Sequence, residues 1–186
     1  MRTPYSYRQD GAVPPFADDK PIIIFDGLCV LCSTSAAFVL RHDKAGVFRL
    51  LAAQSPLGHA LYSHYGLDPR NYETMILIAD GVALFKSEAA IRIAQGLGFP
   101  WSLARVFRLV RLLWRDRFYA WVARNRLKWF GKRDTCYLPD PHHADRFWHE
   151  PGFFRKPGFF RKKHDAHRSD PRRLRHVWRQ AGAASR

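Results

Sequence analysis

Cysteine is scarce in this chain, with three residues among 186. So few thiols exclude the disulfide-dense scaffold of small secreted domains, and the odd number leaves at least one cysteine unpaired within the chain. Long apolar runs are also missing, because no segment offers about eighteen uncharged apolar residues, the length that a membrane-spanning helix needs. The amino-terminal stretch lacks the apolar centre of a secretory signal. We therefore expect a cytoplasmic protein with reduced thiols.

Carboxylates are the minority charge, with 16 Asp or Glu residues against 31 Lys or Arg residues. The first hundred residues carry nine of each sign, so the net charge of +15 comes wholly from the C-terminal half. Such asymmetry is typical of a surface or tail that faces a polyanion. We expect weak contact of the basic tail, residues 141–186, with nucleic acid or with an anionic membrane.

Composition divides the chain into three parts. Residues 1–20 are rich in Pro, Asp, Tyr and Gly, which predicts a disordered N-terminal segment. Residues 141–186 lack apolar periodicity and hold a tandem PGFFRK repeat and six of the nine histidines. They are predicted to form a basic, largely disordered tail. The folded domain is then expected between residues 21 and 140.

Apolar periodicity predicts alternating strands and helices in that domain. The predicted order is a strand at 21–25, a helix at 29–42, a strand at 47–54, a helix at 55–65, a hairpin at 74–86 and a helix capped by Ser87 at 87–97. The first half requires a parallel crossover and the hairpin adds antiparallel strands. This order predicts an α/β, thioredoxin-like mixed sheet.

Residues 101–131 are predicted to form a C-terminal helical extension, as two helices of which the second covers 118–130. Apolar side chains recur at helical spacing on one face and arginines on the other. We expect this extension to pack on the sheet and to leave its basic face in solvent. Docking on a membrane surface is the alternative, because basic amphipathic helices with tryptophan bind anionic lipid.

The octet FDGLCVLC, residues 25–32, places Cys29 and Cys32 at the start of the first predicted helix. A helix N-terminus stabilises a thiolate, and a partner three residues on lies on the same side of the first turn. One thiolate attacks a disulfide and the other resolves the mixed disulfide. The C-x-x-C spacing beside a parallel crossover therefore favours a redox pair.

Two other interpretations of these thiols stay open. Zinc could bind Cys29, Cys32 and Cys136 together with His142 or His143, although the second half of that set lacks the spacing of a zinc knuckle. The alternative function is then a redox-inert or zinc-stabilised module that docks on nucleic acid or an anionic membrane through the basic half. Inert burial of both thiols in a helix is the third interpretation.

Asp26 precedes Cys29 by three residues, at the end of a predicted buried strand. An Asp-Gly pair favours a turn, which gives the carboxylate a structural role. A partly desolvated carboxylate could also relay the proton of Cys32, while its charge would oppose thiolate formation. Both roles are consistent with this position.

Several segments together resemble the DCC family of thiol-disulfide oxidoreductases. The matching features are Asp26, Cys29 and Cys32 in FDGLCVLC, the segments GVALFKSEAAIRIAQGLG and FYAWVARNRLKWFGKRDTCYLP, and the closing Cys136-x-Leu138-Pro139. The resemblance covers about residues 20–140. It implies a thioredoxin-like fold and disulfide exchange with a protein or small-molecule disulfide, and we predict no cofactor. Cys136 is predicted to be a structural or accessory thiol.

Two further expectations concern the reactive pair. Thioredoxins hold the substrate backbone with a cis-proline before the strand facing the cysteines, whereas Thr74 stands in the matching stretch here. Substrate binding must then differ from that of thioredoxin. We also expect Cys29 to be the exposed attacking thiol, with a pKa modestly below about 8.5, and Cys32 to be the less accessible resolving thiol.

Overall fold

A four-stranded sheet forms the centre of the computed structural model, which describes residues 3–137 and 145–148. The strands are β1 (Ile22–Phe25), β2 (Arg49–Ala52), β3 (Ile76–Ala79) and β4 (Val82–Phe85). Their order is β2-β1-β3-β4, with β1 parallel to β2 and antiparallel to β3. Together with the helices, this mixed sheet confirms the predicted α/β, thioredoxin-like fold.

Four α-helices accompany the strands in the described ranges. They are α1 (Val30–His42), α2 (Pro56–His64), α3 (Lys86–Gly96) and α4 (Leu112–Phe130). Ser55 caps α2 by accepting a hydrogen bond from the Gly58 N–H at 3.0 Å. The predicted capping role of Ser87 is wrong, because α3 already begins at Lys86 and the Ser87 hydroxyl donates to Asp116 instead.

The β3–β4 hairpin turns at Asp80 and Gly81, as predicted. Both residues have positive φ, 50° and 74°, which a two-residue hairpin turn of this hand requires. The ring of Tyr5 approaches Gly81 so closely that an added Cβ would lie 2.5 Å from it. Glycine at this position therefore serves the turn and the contact with the N-terminal segment.

Side chains alternate across β1, so the sheet has an apolar core on each side. Ile22 and Ile24 pack with α2 on one side, and Ile23 and Phe25 pack with α1 and α3 on the other. All four β1 side chains are buried. Such burial on both faces explains why the sequence of this strand is apolar without interruption.

The N-terminal segment is ordered against the first of these cores, so the prediction of disorder is wrong for residues 3–20. Tyr7 is 2% exposed and donates to the Asp18 carboxylate at 2.6 Å. Ser6 and Asp10 contact the two ring nitrogens of His64 on α2, at 3.0 and 2.6 Å. Composition missed this segment because its few apolar side chains are widely spaced.

The predicted tail boundary at residue 141 is also too early. Residues 145–148 contact the edge of the sheet, where Phe147 is buried and Trp148 N–H donates to the Leu50 carbonyl at 2.9 Å. Arg146 binds the buried carboxylate of Asp43. The remainder of the predicted tail, 141–144 and 149–186, lies outside the described residues.

The helical extension differs from its prediction in form and packing. Residues Trp101–Leu109 form a 3-10 helix, and α4 starts six residues earlier than predicted. Of α4, only Ala123 and Arg126 are buried, and the 3-10 helix has no buried residue. The expectation that the apolar face would pack on the sheet is therefore wrong for most of its side chains.

Candidate active site

The octet FDGLCVLC forms a turn between β1 and α1. Cys29 is the N-cap of α1, and its Sγ accepts a hydrogen bond from the Cys32 N–H at 3.3 Å. The Cys29 N–H in turn donates to the Asp26 carbonyl at 3.3 Å. The predicted placement of one cysteine at the helix start and its partner one turn in is confirmed.

The two thiols have opposite proton affinities. Interaction with the Cys32 side chain lowers the pKa of Cys29 from 9.0 to about 6, with smaller contributions from the Cys32 N–H and from the positive charge of Arg126. Burial and the Asp26 charge oppose that shift. The same interaction between the two side chains, together with burial, raises the pKa of Cys32 well above its usual range. At neutral pH, Cys29 is therefore the thiolate and Cys32 the thiol.

The accessibility of the two thiols is the reverse of the prediction. Cys29 is 0% exposed, whereas Cys32 is half-buried. Residues 131–137, which we call the cover segment, lie over the turn. Arg133 N–H donates to the Leu28 carbonyl at 2.7 Å, and Tyr137 N–H donates to the Gly27 carbonyl at 2.8 Å. The cover segment follows α4, so the turn sequence alone could not reveal it.

Asp26 is buried and fully engaged by hydrogen-bond donors. Its Oδ1 accepts from the Leu28 N–H at 3.0 Å and from Gln54 Nε2 at 2.7 Å. Its Oδ2 accepts from Arg126 Nη2 at 3.1 Å, and both partners of this ion pair are almost wholly buried. The Asp-Gly turn is thus real, and the carboxylate also holds a cation beside the cysteines.

Arg126 is the residue beside the cysteine pair that sequence reasoning missed. It lies on α4 and also donates to the carbonyls of Tyr72 at 3.0 Å and Ala123 at 2.7 Å. The sequence pattern predicts a solvated basic face for this region and does not distinguish Arg126 from its other arginines. Its helical spacing from Tyr119 and Val122, which face the same cavity, is the signal that could have identified it.

A cavity of about 480 Å³ lies beside this ion pair, between α1, α3, α4 and the sheet. Cys32, Asp26 and Arg126 contribute to its wall, and Cys29 is not part of it. Most of the other lining side chains are apolar, among them Leu31 and Ile93. Volumes of this size are typical of sites for small molecules.

Cys136 lies close to the redox turn but in a different environment. Burial raises its pKa to about 11, and its Sγ is 3.9 Å from Gln54 Oε1. A Cβ added at Gly27 would lie only 2.2 Å from this sulfur, so the turn needs glycine there. Such a buried protonated thiol is a poor nucleophile.

The predicted zinc set is not assembled in the described part of the chain. Among residues 3–137 and 145–148, no three His, Cys, Asp or Glu side chains are grouped closely enough to hold a metal ion. The candidate ligands His142 and His143 lie outside those residues.

Comparison with known proteins identifies the family. The sequence profile of the DCC1-like thiol-disulfide oxidoreductases matches residues 23–132, which include both cysteines, Asp26 and Arg126. This chain is a member of the DCC1-like family. No solved structure matches it significantly.

Two curated relatives cover most of the matched region. The "Uncharacterized protein YuxK" of Bacillus subtilis (strain 168) is 36% identical over 126 residues, which are 68% of this chain and 92% of that protein. The "DCC family protein At1g52590, chloroplastic" of Arabidopsis thaliana is 35% identical over 122 residues, 65% of this chain and 71% of that protein. No helix in the described ranges of this DCC1-like chain is long and apolar enough to span a bilayer.

Proposed function

We propose that this DCC1-like protein is a dithiol-disulfide oxidoreductase in which Cys29 and Cys32 alternate between two thiols and one disulfide. The hydrogen bond from Cys32 to Cys29 Sγ carries the proposal, because it stabilises the thiolate that disulfide exchange requires. Its position at the start of α1 and the family membership of the chain support the same chemistry. We propose the cytosol as the compartment, since three cysteines are too few for a disulfide-stabilised secreted domain.

Asp26 acts in this proposal as a positioning residue. Its carboxylate already accepts three hydrogen bonds, from Leu28, Gln54 and Arg126, so its main effect is to hold the Arg126 guanidinium near the sulfurs. The guanidinium favours the Cys29 thiolate and the carboxylate disfavours it. The ion pair therefore adjusts the Cys29 pKa through two opposing charges, whose effects are smaller than that of Cys32.

The test is a redox titration of the full chain in dithiothreitol buffers. Free thiols are alkylated at each potential and mapped by mass spectrometry. We expect a reversible 29–32 disulfide that Cys136→Ser leaves unchanged, and no such disulfide in Cys29→Ser or Cys32→Ser. If Cys29 and Cys32 never form a disulfide under oxidising conditions, the proposed oxidoreductase activity is refuted.

We further propose that residues 99–130 dock on an anionic lipid bilayer. Most of the large apolar side chains that are exposed in the described residues lie in this one segment, including Phe107 (63% exposed), Trp114 (62%) and Phe118 (66%). The segment also carries eight Lys or Arg residues against a single carboxylate, Asp116. Apolar side chains interleaved with excess positive charge complement a surface of anionic headgroups over an apolar interior.

Vesicle sedimentation tests this docking. The full chain should sediment with phosphatidylglycerol-containing vesicles and much less with pure phosphatidylcholine. The double variant Trp114→Ser, Phe118→Ser should lose most of that binding. The control Val82→Ser removes an exposed apolar side chain from the hairpin and should keep the vesicle binding. If the double variant still binds the vesicles, residues 99–130 are not the lipid-binding surface. If the full chain self-associates but does not bind vesicles, and the double variant loses that self-association, the surface binds a second copy of the chain.

A further inference from the structure

Only one sulfur of the redox pair is open to a cavity. Cys32 lines the apolar cavity, whereas Cys29 is fully buried under the cover segment. Backbone hydrogen bonds fix that cover at both ends of the turn, because the Val30 N–H donates to the Gly131 carbonyl and the Tyr137 N–H donates to the Gly27 carbonyl. A substrate that reaches the pair through the cavity therefore meets Cys32 first.

One residue of the cavity wall also holds a buried hydrogen-bond donor that is unused. Arg126 is 4% exposed and lines the wall, and its Nε–H has no acceptor within the part of the chain that the structure describes. A buried N–H donor without an acceptor costs free energy. A ligand oxygen that accepts from this N–H would therefore stabilise the complex more than the same hydrogen bond would in water. The charge of Arg126 is already balanced by Asp26. A neutral acceptor, such as an amide carbonyl, is therefore enough.

Two backbone groups that an extended peptide could pair with at this end of the sheet are already bonded to tyrosine hydroxyls. The Met75 N–H donates to the Tyr119 hydroxyl at 3.0 Å, and the Thr74 carbonyl accepts a hydrogen bond from the Tyr62 hydroxyl. These are the groups at the start of β3, in the stretch where thioredoxins have their cis-proline. The site thus favours a compact substrate over a peptide strand.

Resting on the proposed function, we propose that the substrate is a small amphiphilic thiol or disulfide that exchanges at Cys32. Its apolar body occupies the cavity, a neutral carbonyl oxygen accepts from Arg126 Nε, and its sulfur meets Cys32 rather than Cys29. The first cysteine of the motif is then the internal partner, which reverses the roles expected from the sequence.

The exchange balances in both directions. In oxidation of substrate, RS⁻ attacks Cys32 Sγ, an RS–SCys32 bond forms, the 29–32 bond breaks and Cys29 leaves as thiolate. A second RS⁻ then releases RSSR and the Cys32 thiolate, which takes a proton from water. In the reverse direction, Cys32 gives its proton to the Cys29 thiolate and attacks RSSR, an RS–SCys32 bond forms and the first RS⁻ leaves. Cys29 passes the proton to that RS⁻ and attacks Cys32 Sγ, which closes the 29–32 disulfide and releases the second RS⁻. This second RS⁻ takes a proton from water, so the cysteine pair is oxidised and RSSR becomes two RSH. A thiol of low pKa is the better leaving group, which suits Cys29 to this role.

The deciding experiment maps the mixed disulfide. The oxidised full chain is mixed with N-hexanoylcysteamine, quenched with acid, alkylated and digested. We expect the probe on Cys32 and the alkyl group on Cys29. The reverse pattern would overturn the inference while leaving the oxidoreductase intact. Failure to form any 29–32 disulfide in the oxidised protein would instead overturn the proposed function on which the inference rests.

A second measurement tests the cavity. Ala94 on α3 lines it, and Ala120 on α4 is half-buried elsewhere. Ala94→Phe should slow exchange with N-hexanoylcysteamine about tenfold or more, since an apolar chain of several methylenes loses its place. Exchange with N-acetylcysteamine should change less than twofold, and Ala120→Phe should change neither rate. If Ala94→Phe slows exchange with both probes equally, the cavity is not the substrate site. The same conclusion follows if Ala120→Phe slows exchange with the longer probe.

Discussion

On one side of the sheet, α2 and the N-terminal segment fill the space above β1, and Leu61 and Tyr62 are almost wholly buried there. On the other side, α1, α3 and α4 leave a cavity of about 480 Å³ with a charged pair in its wall. We call these the packed side and the cavity side. The close-packed side holds the sheet in place, so the cavity side can keep an open volume and buried polar groups that cost stability.

The largest effect expected on the cavity side is chemical. Cys29→Ser should abolish 29–32 disulfide formation and reduce turnover to the background of the assay. Thermal unfolding of the reduced protein should still be cooperative, because the packed side is untouched. Reduced-protein calorimetry and a disulfide reductase assay check both statements, with Cys136→Ser as the control that keeps activity. A Cys136→Ser variant as inactive as Cys29→Ser would implicate a third thiol.

Removal of Arg126 should have the largest effect on stability. Arg126→Met leaves the buried Asp26 carboxylate without its cation, which typically costs about 3–5 kcal/mol in free energy of unfolding. The double variant Arg126→Met, Asp26→Asn should recover part of that loss. Urea unfolding of the two variants measures the difference. Equal destabilisation of both would show that the charge pair is not the cause.

The two sides should respond differently to loss of a leucine side chain. Leu61→Ala on the packed side should cost about 2–5 kcal/mol, because the side chain is fully buried in a close-packed core. Leu31→Ala on the cavity side should cost less than about 1 kcal/mol, because this half-buried side chain borders space that is already open. Denaturant midpoints at constant m-value compare them. Equal losses would remove the distinction between the sides.

The smallest effect concerns pH. Since the folded pKa of Cys29 is lowered from 9.0 to about 6, the contribution of its ionisation to stability is full above pH 9 and is lost as pH falls through about 6. Cys29→Ser should therefore flatten the rise in stability between pH 6 and 9. Thiolate absorbance near 240 nm should titrate near pH 6, and lower still in Asp26→Asn, which removes a charge that raises the Cys29 pKa. An unchanged titration in Asp26→Asn would contradict the assigned electrostatics.

Local features of the packed and cavity sides were predictable from sequence, and distant contacts were not. The hairpin at Asp80 and Gly81 and the N-cap position of Cys29 follow from short-range rules, because turn and cap geometry depend on neighbouring residues. The Asp26–Arg126 pair joins residues 100 positions apart. Burial of Cys29 depends on the cover segment, which is equally distant in sequence. Charge counts alone gave no reason to separate Arg126 from its solvated neighbours.

The separation of Asp26 and Arg126 also has a consequence for the nascent chain. A ribosome adds about 5–20 residues each second, so roughly 5–20 s pass between synthesis of the carboxylate and synthesis of its cation, 100 residues later. The cover segment emerges later still. Throughout this interval both cysteines lack the Arg126 charge and the cover segment, and have each other and Asp26 nearby. Translation thus delivers the two thiols first, and the charge of Arg126 and the burial of Cys29 are added only when the last turn of α4 and the cover segment have left the exit tunnel.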